Sequence, residues 1–254
     1  MIILKTEDDV RKIREAGEIL IYILCYLKTH FMISGVSVKD IDAEVIKLAE
    51  RNNAKPAFLG YRGYPASICV SINDVVIHGI PDDTVLKDGD IVSLDLGIEK
   101  DGFFADAART FFVGNIDKEK KRLIEITRKA LFIAIDAINK ENRIFDISKS
   151  IQDWVLRNNY NVVKEFTGHG VGLHLHEEPQ IPNFVPNNGI PNPTIRKGMV
   201  IAIEPMVTMG KGDVVVEKDG WTVRTKDHSL SAHFEDTIYV KEDGVEILTK
   251  GCYV

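Results

Sequence analysis

The segment from Asp90 to Val113 constrains this chain more than any other. Its first run is Asp90-Ile91-Val92-Ser93-Leu94-Asp95-Leu96-Gly97-Ile98, and its second is Phe103-Phe104-Ala105-Asp106-Ala107-Ala108-Arg109-Thr110-Phe111-Phe112-Val113. Between them lies the polar tetrapeptide Glu99-Lys100-Asp101-Gly102. Two apolar runs around a polar stretch ending in Gly read as a β-hairpin. A turn at Lys100-Asp101 sets Asp95 directly opposite Asp106. A turn at Asp101-Gly102 sets Asp95 opposite Ala108 and Asp106 opposite Gly97. In either register, side-chain alternation leaves both carboxylates on one face. Leu94, Leu96 and Ile98 make the other face apolar. Opposed side chains stand about 5 Å apart at Cβ, where like charges are destabilising. Two carboxylates on a mostly buried sheet need a shared proton or a metal ion, and oxygen-rich sites suit Mg, Mn and other hard or borderline divalent ions. The simpler reading is a hairpin whose aspartates face water; the rest of the chain decides between the two.

At 254 residues the chain is long enough for one large domain or two fused halves. A net charge of −6 without a Lys/Arg-rich block argues against nucleic acid as the main partner. The apolar run Ile19 to Leu27 is too short to span a bilayer, and Glu7, Asp8, Asp9, Glu15 and Glu18 before it carry the wrong charge for a signal peptide. Cys25, Cys69 and Cys252 follow no metal-type spacing, and so odd and sparse a count implies a reducing compartment without a disulfide framework.

Thr6-Glu7-Asp8-Asp9 is a helix start, with a Thr cap and acids in the first turn. Val10, Ile13, Ala16, Gly17, Leu20 and Leu24 then recur at helical spacing to about Lys28. Ser37 and Asp40 start a second helix with Val38, Ile41, Val45, Ile46 and Leu48 inward, stopped by Lys55-Pro56. After a Gly- and Tyr-rich loop from Phe58 to Pro65, strands are expected over Ser67–Ile72 and Val75–Ile77, ahead of the hairpin. The plan then repeats. One helix runs from Asp117 to Asn139, and a second from Phe145 to Asn158 is capped by Asp146, with Ile147, Ile151, Trp154 and Val155 inward. Strands follow over Val162–Val163, Val200–Val207, Val214–Val216, Trp221–Thr225 and His233–Val240. Two helices followed by strands, twice, imply an α+β chain of two related halves, residues 6–113 and 116–250, in a single domain over 1–254.

The second half adds three candidates. Gly168-His169-Gly170 sets an imidazole where backbone can crowd close. Met199 to Glu204 is an apolar run ending in a carboxylate, followed by Pro205, which cannot donate to a sheet ladder. Phe234-Glu235-Asp236-Thr237-Ile238 sets another carboxylate inside an apolar run, and a Glu there is rarely buried without a partner. Each has a plainer reading: a turn histidine, a Glu204–Arg224 ion pair, a Glu235 facing water. Together, two Asp, one His and two Glu are enough for two ions with bridging carboxylates, and metal pairs about 3.5–4 Å apart activate water and clamp the attacked group.

The motifs Gly89-Asp90-Ile91-Val92 through Asp95 and Asp106, Gly168-His169-Gly170-Val171-Gly172 with His176-Glu177-Glu178-Pro179, Ile203-Glu204-Pro205-Met206, and Asp219-Gly220-Trp221 through Ser231-Ala232-His233-Phe234-Glu235 resemble the methionine aminopeptidases, across essentially the whole chain. They are similar to the compact bacterial type I form. His169 and Glu204 lie too close in sequence for the helical insertion of type II enzymes, and the chain starts too near its first helix for the zinc-binding extension of some eukaryotic forms. The resemblance implies the pita-bread fold: two pseudo-symmetric halves around a curved antiparallel sheet, with helices on the outer face.

It also implies roles. Asp95 chelates one divalent ion, Asp106 and Glu235 bridge two, and His169 and Glu204 hold the second; the ions are Mn, Fe(II), Co or Zn. A bridging water or hydroxide is the nucleophile and Glu204 the proton shuttle. His176 polarises the scissile carbonyl, and His78 contacts the amide nitrogen side. Tyr61, Tyr64, Cys69 and Trp221 match the methionine pocket, suited to an unbranched thioether. Two positions depart: Leu175 stands where the family usually has Phe, and Phe58 where Cys is common. The implied function is removal of N-terminal methionine from nascent polypeptides with a small second residue, in the cytoplasm, by a chain expected to be a monomer. The resemblance also implies transient association with the ribosome. Two other readings compete. One is an X-Pro hydrolase resembling prolidase or aminopeptidase P, which usually carry an extra N-terminal domain. The other is a metal-free peptide-binding relative, against which all five ligand positions hold coordinating residues.

Overall fold

A computed structural model of the chain describes residues 1–138, 143–187 and 189–254. Helix α1 (Glu7–His30) opens on a capping box in which Thr6 accepts from the Asp9 amide and the Asp9 carboxylate accepts from the Thr6 amide. Helix α2 (Val38–Arg51) follows, and then strands β1 (Lys55–Pro56), β2 (Cys69–Ile72) and β3 (Val75–Ile77). The hairpin is β4 (Ile91–Lys100) and β5 (Phe103–Phe112). Helices α3 (Lys118–Ile138) and α4 (Ile144–Arg157) precede β6 (Asn161–Val162), β7 (Thr167–Gly170), β8 (Glu177–Pro182), β9 (Val200–Ile203) and β10 (Met206–Thr208). The remaining strands are β11 (Val214–Val216), β12 (Val223–Thr225), β13 (Ser231–His233), β14 (Asp236–Val240) and β15 (Val245–Ile247). Asn139, where the sequence pattern ends its helix, lies outside the described residues. No helix among the described residues is long and apolar enough to cross a membrane.

The hairpin takes the Asp101-Gly102 turn. Asp95 stands opposite Ala108 and Asp106 opposite Gly97, so the two carboxylates are diagonal neighbours on one face. The reason is local. Both turn residues need positive φ, 51° at Asp101 and 82° at Gly102, and Asp-Gly meets that demand where Lys-Asp does not. On the opposite face Leu94, Leu96 and Ile98 are fully buried in a core shared with Val10, Ile13, Leu20, Leu24 and Leu27 of α1. Each such side chain contributes about 1.5–3 kcal/mol on burial, and together they fix which face of the hairpin the helix covers.

The antiparallel strands fall into four sheets: β1-β4-β2 with β5 on β4, β13-β10-β6, β11-β12-β3, and β15-β14-β9-β7-β8. Strand β9 lies between two cores. Val200 and Ala202 join the core under α1, whereas Ile201 and Ile203 join a second core built on α3 and α4. Two strands expected to be continuous are broken. The run from Val200 splits at Glu204-Pro205 into β9 and β10, and the run to Val240 splits at Phe234-Glu235 into β13 and β14. The pieces pair accordingly, β9 with β14 and β10 with β13, so both chains step from one sheet to another at the same level. Pro205 cannot extend the ladder, and the step turns both glutamates out of register.

Smaller differences have similar local causes. Trp221 and Thr222 sit outside β12 because Asp219 accepts from both of their amides at 2.8 Å, turning the chain there. Asp146 caps α4 from its first turn by accepting from the Arg143 amide. Ile46 is only half-buried. Trp154 is half-buried too, with its indole N–H donating to the Ile126 carbonyl at 3.0 Å.

Candidate metal centre and active site

Asp95 and Asp106 project from the buried face of the hairpin, and the strand breaks deliver Glu204 and Glu235 beside them. Glu235 is seated by backbone pairing to β5: its amide donates to the Ala108 carbonyl at 3.0 Å and its carbonyl accepts from the Ala108 amide. His169 arrives on β7, a strand rather than the turn its flanking glycines allow. Those glycines serve strand packing. A Cβ at Gly168 would lie 2.4 Å from the Ala202 carbonyl oxygen, and one at Gly170 would lie 2.3 Å from that of Glu178.

The ring of His169 is oriented by its own strand, since Nδ1 lies 2.9 Å from the Gly170 carbonyl and donates to it. In the neutral ring this leaves the Nε2 lone pair free. That nitrogen faces Glu204 Oε1 at 3.6 Å, Asp106 Oδ2 at 3.8 Å and Glu235 Oε1 at 4.0 Å. Burial holds the imidazole down at about 4, so it stays neutral at ordinary pH. Burial pushes Asp95 up to about 7. Burial and the negative charge of Asp95 push Asp106 well up, and burial with Asp95 and Asp106 does the same to Glu204. Burial with Asp106 and Glu204 raises Glu235.

A divalent ion fits this donor set. Asp106, His169 and Glu235 can each offer an atom within 4.8 Å of the others. Asp95 Oδ1, Asp106 Oδ1 and Glu235 Oε1 are buried without a hydrogen-bond partner, and a buried acceptor left unpaired costs about 1–3 kcal/mol, more when charged. Carboxylate oxygens with one imidazole suit hard or borderline divalent metals. The Glu204–Arg224 ion pair does not form, because Arg224 is taken by Asp74 and Glu217.

The centre lies in a cavity of about 140 Å³ lined also by Phe58, Tyr61, Arg62, Tyr64, Cys69, His78, His176 and Trp221. Every candidate residue thus converges on one space. A larger open groove of about 630 Å³ near Asp74 and Arg224 contains none of them and no orphaned buried polar atom among the described residues. Tyr64 is buried, with its hydroxyl donating to the Gly79 carbonyl at 3.0 Å, and meets Trp221 edge-on at 5.1 Å. Leu175 and Phe58, the two departures from the family pattern, pack together with Tyr64, Ala66 and Cys69. His78 has a positive φ of 57° and sits edge-on to Phe166 and Trp221. Burial holds it down at about 4. His176 is exposed at the rim and stacks on Tyr61 at 5.1 Å, with His169 at 4.2 Å on its inner side.

Four residues around the centre were given no role by the sequence reading. His233 is buried with neither ring nitrogen hydrogen-bonded, and its Nε2 lies 3.9 Å from Glu204 Oε2. The Asn183 amide donates to the Glu204 carbonyl at 3.0 Å. Glu177 accepts from the Leu173 and His174 amides at 2.8 and 2.9 Å and pairs with buried Lys5, which braces the loop carrying His176. Arg109 lies under Glu235. A signal existed for Arg109, a lone cation in the apolar run Ala107 to Phe112. None existed for Asn183.

Comparisons with known proteins agree with this geometry. Residues 11–242 match the model of metallopeptidase family M24. The methionine aminopeptidase of Clostridium perfringens is 46% identical over 250 residues, covering 98% of this chain and 99% of that protein. The crystal structure of methionine aminopeptidase from Thermotoga maritima superposes with a TM-score of 0.93 at 43% identity, covering 99% of this chain and all of that one. Prolidase from Pyrococcus furiosus shares the fold alone, with a TM-score of 0.79 at 24% identity, 98% of this chain covering 66% of that one. A carboxylate-rich buried centre, a small apolar pocket beside it and full-length likeness lead to one conclusion: the chain belongs to metallopeptidase family M24 and, within it, to the methionine aminopeptidases.

Proposed function

We propose that this enzyme removes N-terminal methionine from nascent polypeptides whose second residue is small, using two divalent ions. The observation that carries the reading is the convergence of the Asp95, Asp106, Glu204 and Glu235 carboxylates, three of them with a buried partnerless oxygen, on one cavity with His169, beside an apolar pocket. Asp95 would hold one ion, His169 and Glu204 the other, and Asp106 and Glu235 both. Bound there, Mn, Fe(II), Co or Zn would supply the positive charge that acidifies a water and polarises a carbonyl.

The chain's own groups do the rest. Phe58, Tyr61, Tyr64, Cys69, Leu175 and Trp221 enclose an unbranched thioether and leave little room for a wider side chain. Glu204, with its raised proton affinity, takes the proton of the attacking water and delivers it to the leaving amide nitrogen. His176, held down at about 3 by burial and then by neighbouring His169, donates an N–H to the scissile carbonyl oxygen as negative charge develops there. His78, kept neutral by burial, contacts the amide nitrogen side. The substrate would be met in the cytoplasm, by a monomer acting near the ribosome.

The test is a peptide panel. Purified enzyme is incubated with Mn²⁺, Fe²⁺, Co²⁺ or Zn²⁺ and offered Met-Ala-Ser, Leu-Ala-Ser and Ala-Pro peptides. Cleavage of the methionine peptide alone is expected. Cleavage only before proline, or peptide binding without turnover under every ion, overturns the proposal.

A further inference from the structure

Beneath Glu235 lies a buried polar network that the chemistry above does not use. Arg109, on β5, is fully buried. Its guanidinium donates to the Glu235 carbonyl, to the Ala108 carbonyl at 2.9 Å and to Asp236 Oδ1 at 2.7 Å. It also donates to Thr249 and Gly251 carbonyls at 2.8 and 3.0 Å. All of its donor capacity goes to backbone and to one carboxylate immediately behind the centre, a geometry that the planar fork of Arg can meet and Lys cannot.

The segment 249–253 completes the network. Thr249 Oγ1 donates to Asp236 Oδ1 at 2.7 Å, and the Tyr253 hydroxyl donates to Asp236 Oδ2 at 2.6 Å. The Tyr253 ring lies over the guanidinium at 4.3 Å. Thr249 Oγ1 also accepts from the Thr237 amide at 2.9 Å. Thr237 Oγ1 in turn donates to the Asp106 carbonyl at 2.8 Å and accepts from the Asp106 amide at 3.0 Å. The backbones of Glu235 and Asp106 are therefore held by one connected set of bonds. On its outer side Tyr253 meets Phe132 of α3 at 5.0 Å, and its carbonyl accepts from Lys28 of α1 at 3.3 Å.

We propose that Arg109, Asp236 and Tyr253 are positioning residues which, through segment 249–253, set the spacing of Asp106 and Glu235 and hence the affinity of the centre for divalent cations; this rests on the metal-centre reading above. The two carboxylates in question are the pair that reading assigns to both ions, so a shift of either one changes both sites. Productive ligand geometry tolerates displacements of only about 0.5 Å, and loss of a partner behind a ligand lowers metal affinity by about 10–100-fold.

The test is Mn²⁺ titration of the metal-free protein, together with its melting temperature with and without Mn²⁺. Tyr253→Phe keeps the ring and removes the hydroxyl, leaving Asp236 Oδ2 without that donor. Arg109→Lys keeps the charge and removes the fork. Weaker Mn²⁺ binding is expected in both, with Arg109→Lys nearer the 100-fold end and Tyr253→Phe nearer the tenfold end. A role in folding alone would lower the melting temperature equally with and without the ion, whereas positioning shrinks the Mn²⁺-induced increment. If Arg109→Lys does not fold, Tyr253→Phe decides, since that side chain is only partly buried. Wild-type Mn²⁺ affinity and increment in Tyr253→Phe overturn the inference and leave the metal centre standing. Failure of the wild-type chain to bind any divalent ion overturns the metal centre itself, and the inference with it.

Discussion

Removing metal should make the stability of this protein depend on pH in a direction set by the buried acids. Burial pushes Asp95 up to about 7 from 3.8, and burial together with the neighbouring carboxylates, Asp95 among them, raises Asp106, Glu204 and Glu235 well above their ordinary values. A carboxyl whose folded pKa is raised binds a proton in the folded state that the unfolded state has released, so stability falls as pH rises towards that pKa. The buried histidines act in the opposite sense. His78 and His169 are depressed to about 4 and His233 to about 3, so their linkage operates only below about pH 6.5. Between about pH 6.5 and 8.5 the acids alone act, and each retained proton removes about 1.4 kcal/mol per pH unit. For a chain of this size 1 kcal/mol corresponds to roughly 2–4 °C. The metal-free protein should therefore melt several degrees lower at pH 8.5 than at pH 6.5. Saturating Mn²⁺ should abolish the slope, because the ion displaces those protons. Differential scanning fluorimetry across that range, in EDTA and in Mn²⁺, measures both. A metal-free melting temperature that rises or stays level, or an Mn²⁺ increment that does not grow with pH, would refute the reasoning.

Glu204→Gln should leave the fold intact and lower kcat by about 10²–10⁴-fold, the range of a lost proton-transfer group, with circular dichroism and steady-state kinetics as the check. Leu175→Ala removes a buried side chain packed with the lining residues Phe58, Tyr64 and Cys69. It should cost about 2–5 kcal/mol in urea unfolding and raise the rate on peptides beginning with Phe relative to Met. Glu177→Ala strands the buried Lys5 and frees the His174 amide. A loss of about 3–5 kcal/mol is expected, with a fall in kcat larger than any change in Mn²⁺ affinity.

The residues that were legible in the sequence share one property: their chemistry conflicts with their surroundings. Asp95, Asp106, Glu204 and Glu235 are charges inside apolar runs, and His169 stands between glycines whose lack of a side chain admits neighbouring strands. The hairpin itself was legible, but its turn stood open between Lys100-Asp101 and Asp101-Gly102 until the pairing of β4 with β5 decided it. The strand breaks at Glu204-Pro205 and Phe234-Glu235 were harder to see, because Val200–Val207 and His233–Val240 read as unbroken until their partners are known. Strands β7, β8 and β15 carry Gly, Pro or Glu where strand formers would be expected, and are set by pairing, β7 with β8 and β9 and β15 with β14. The roles of Asn183, Glu177 and Tyr253 depend on meetings between separate segments, with the Glu204 carbonyl, the Lys5 ammonium and the Asp236 carboxylate, which periodicity does not encode.

The five candidate ligands are strung from position 95 to position 235 of 254. None of their separate segments, released alone, would gather more than part of the set. On the proposed ligand set, a copy still emerging from synthesis lacks the Glu235 carboxylate, and with it part of the centre, until β13 and β14 have docked.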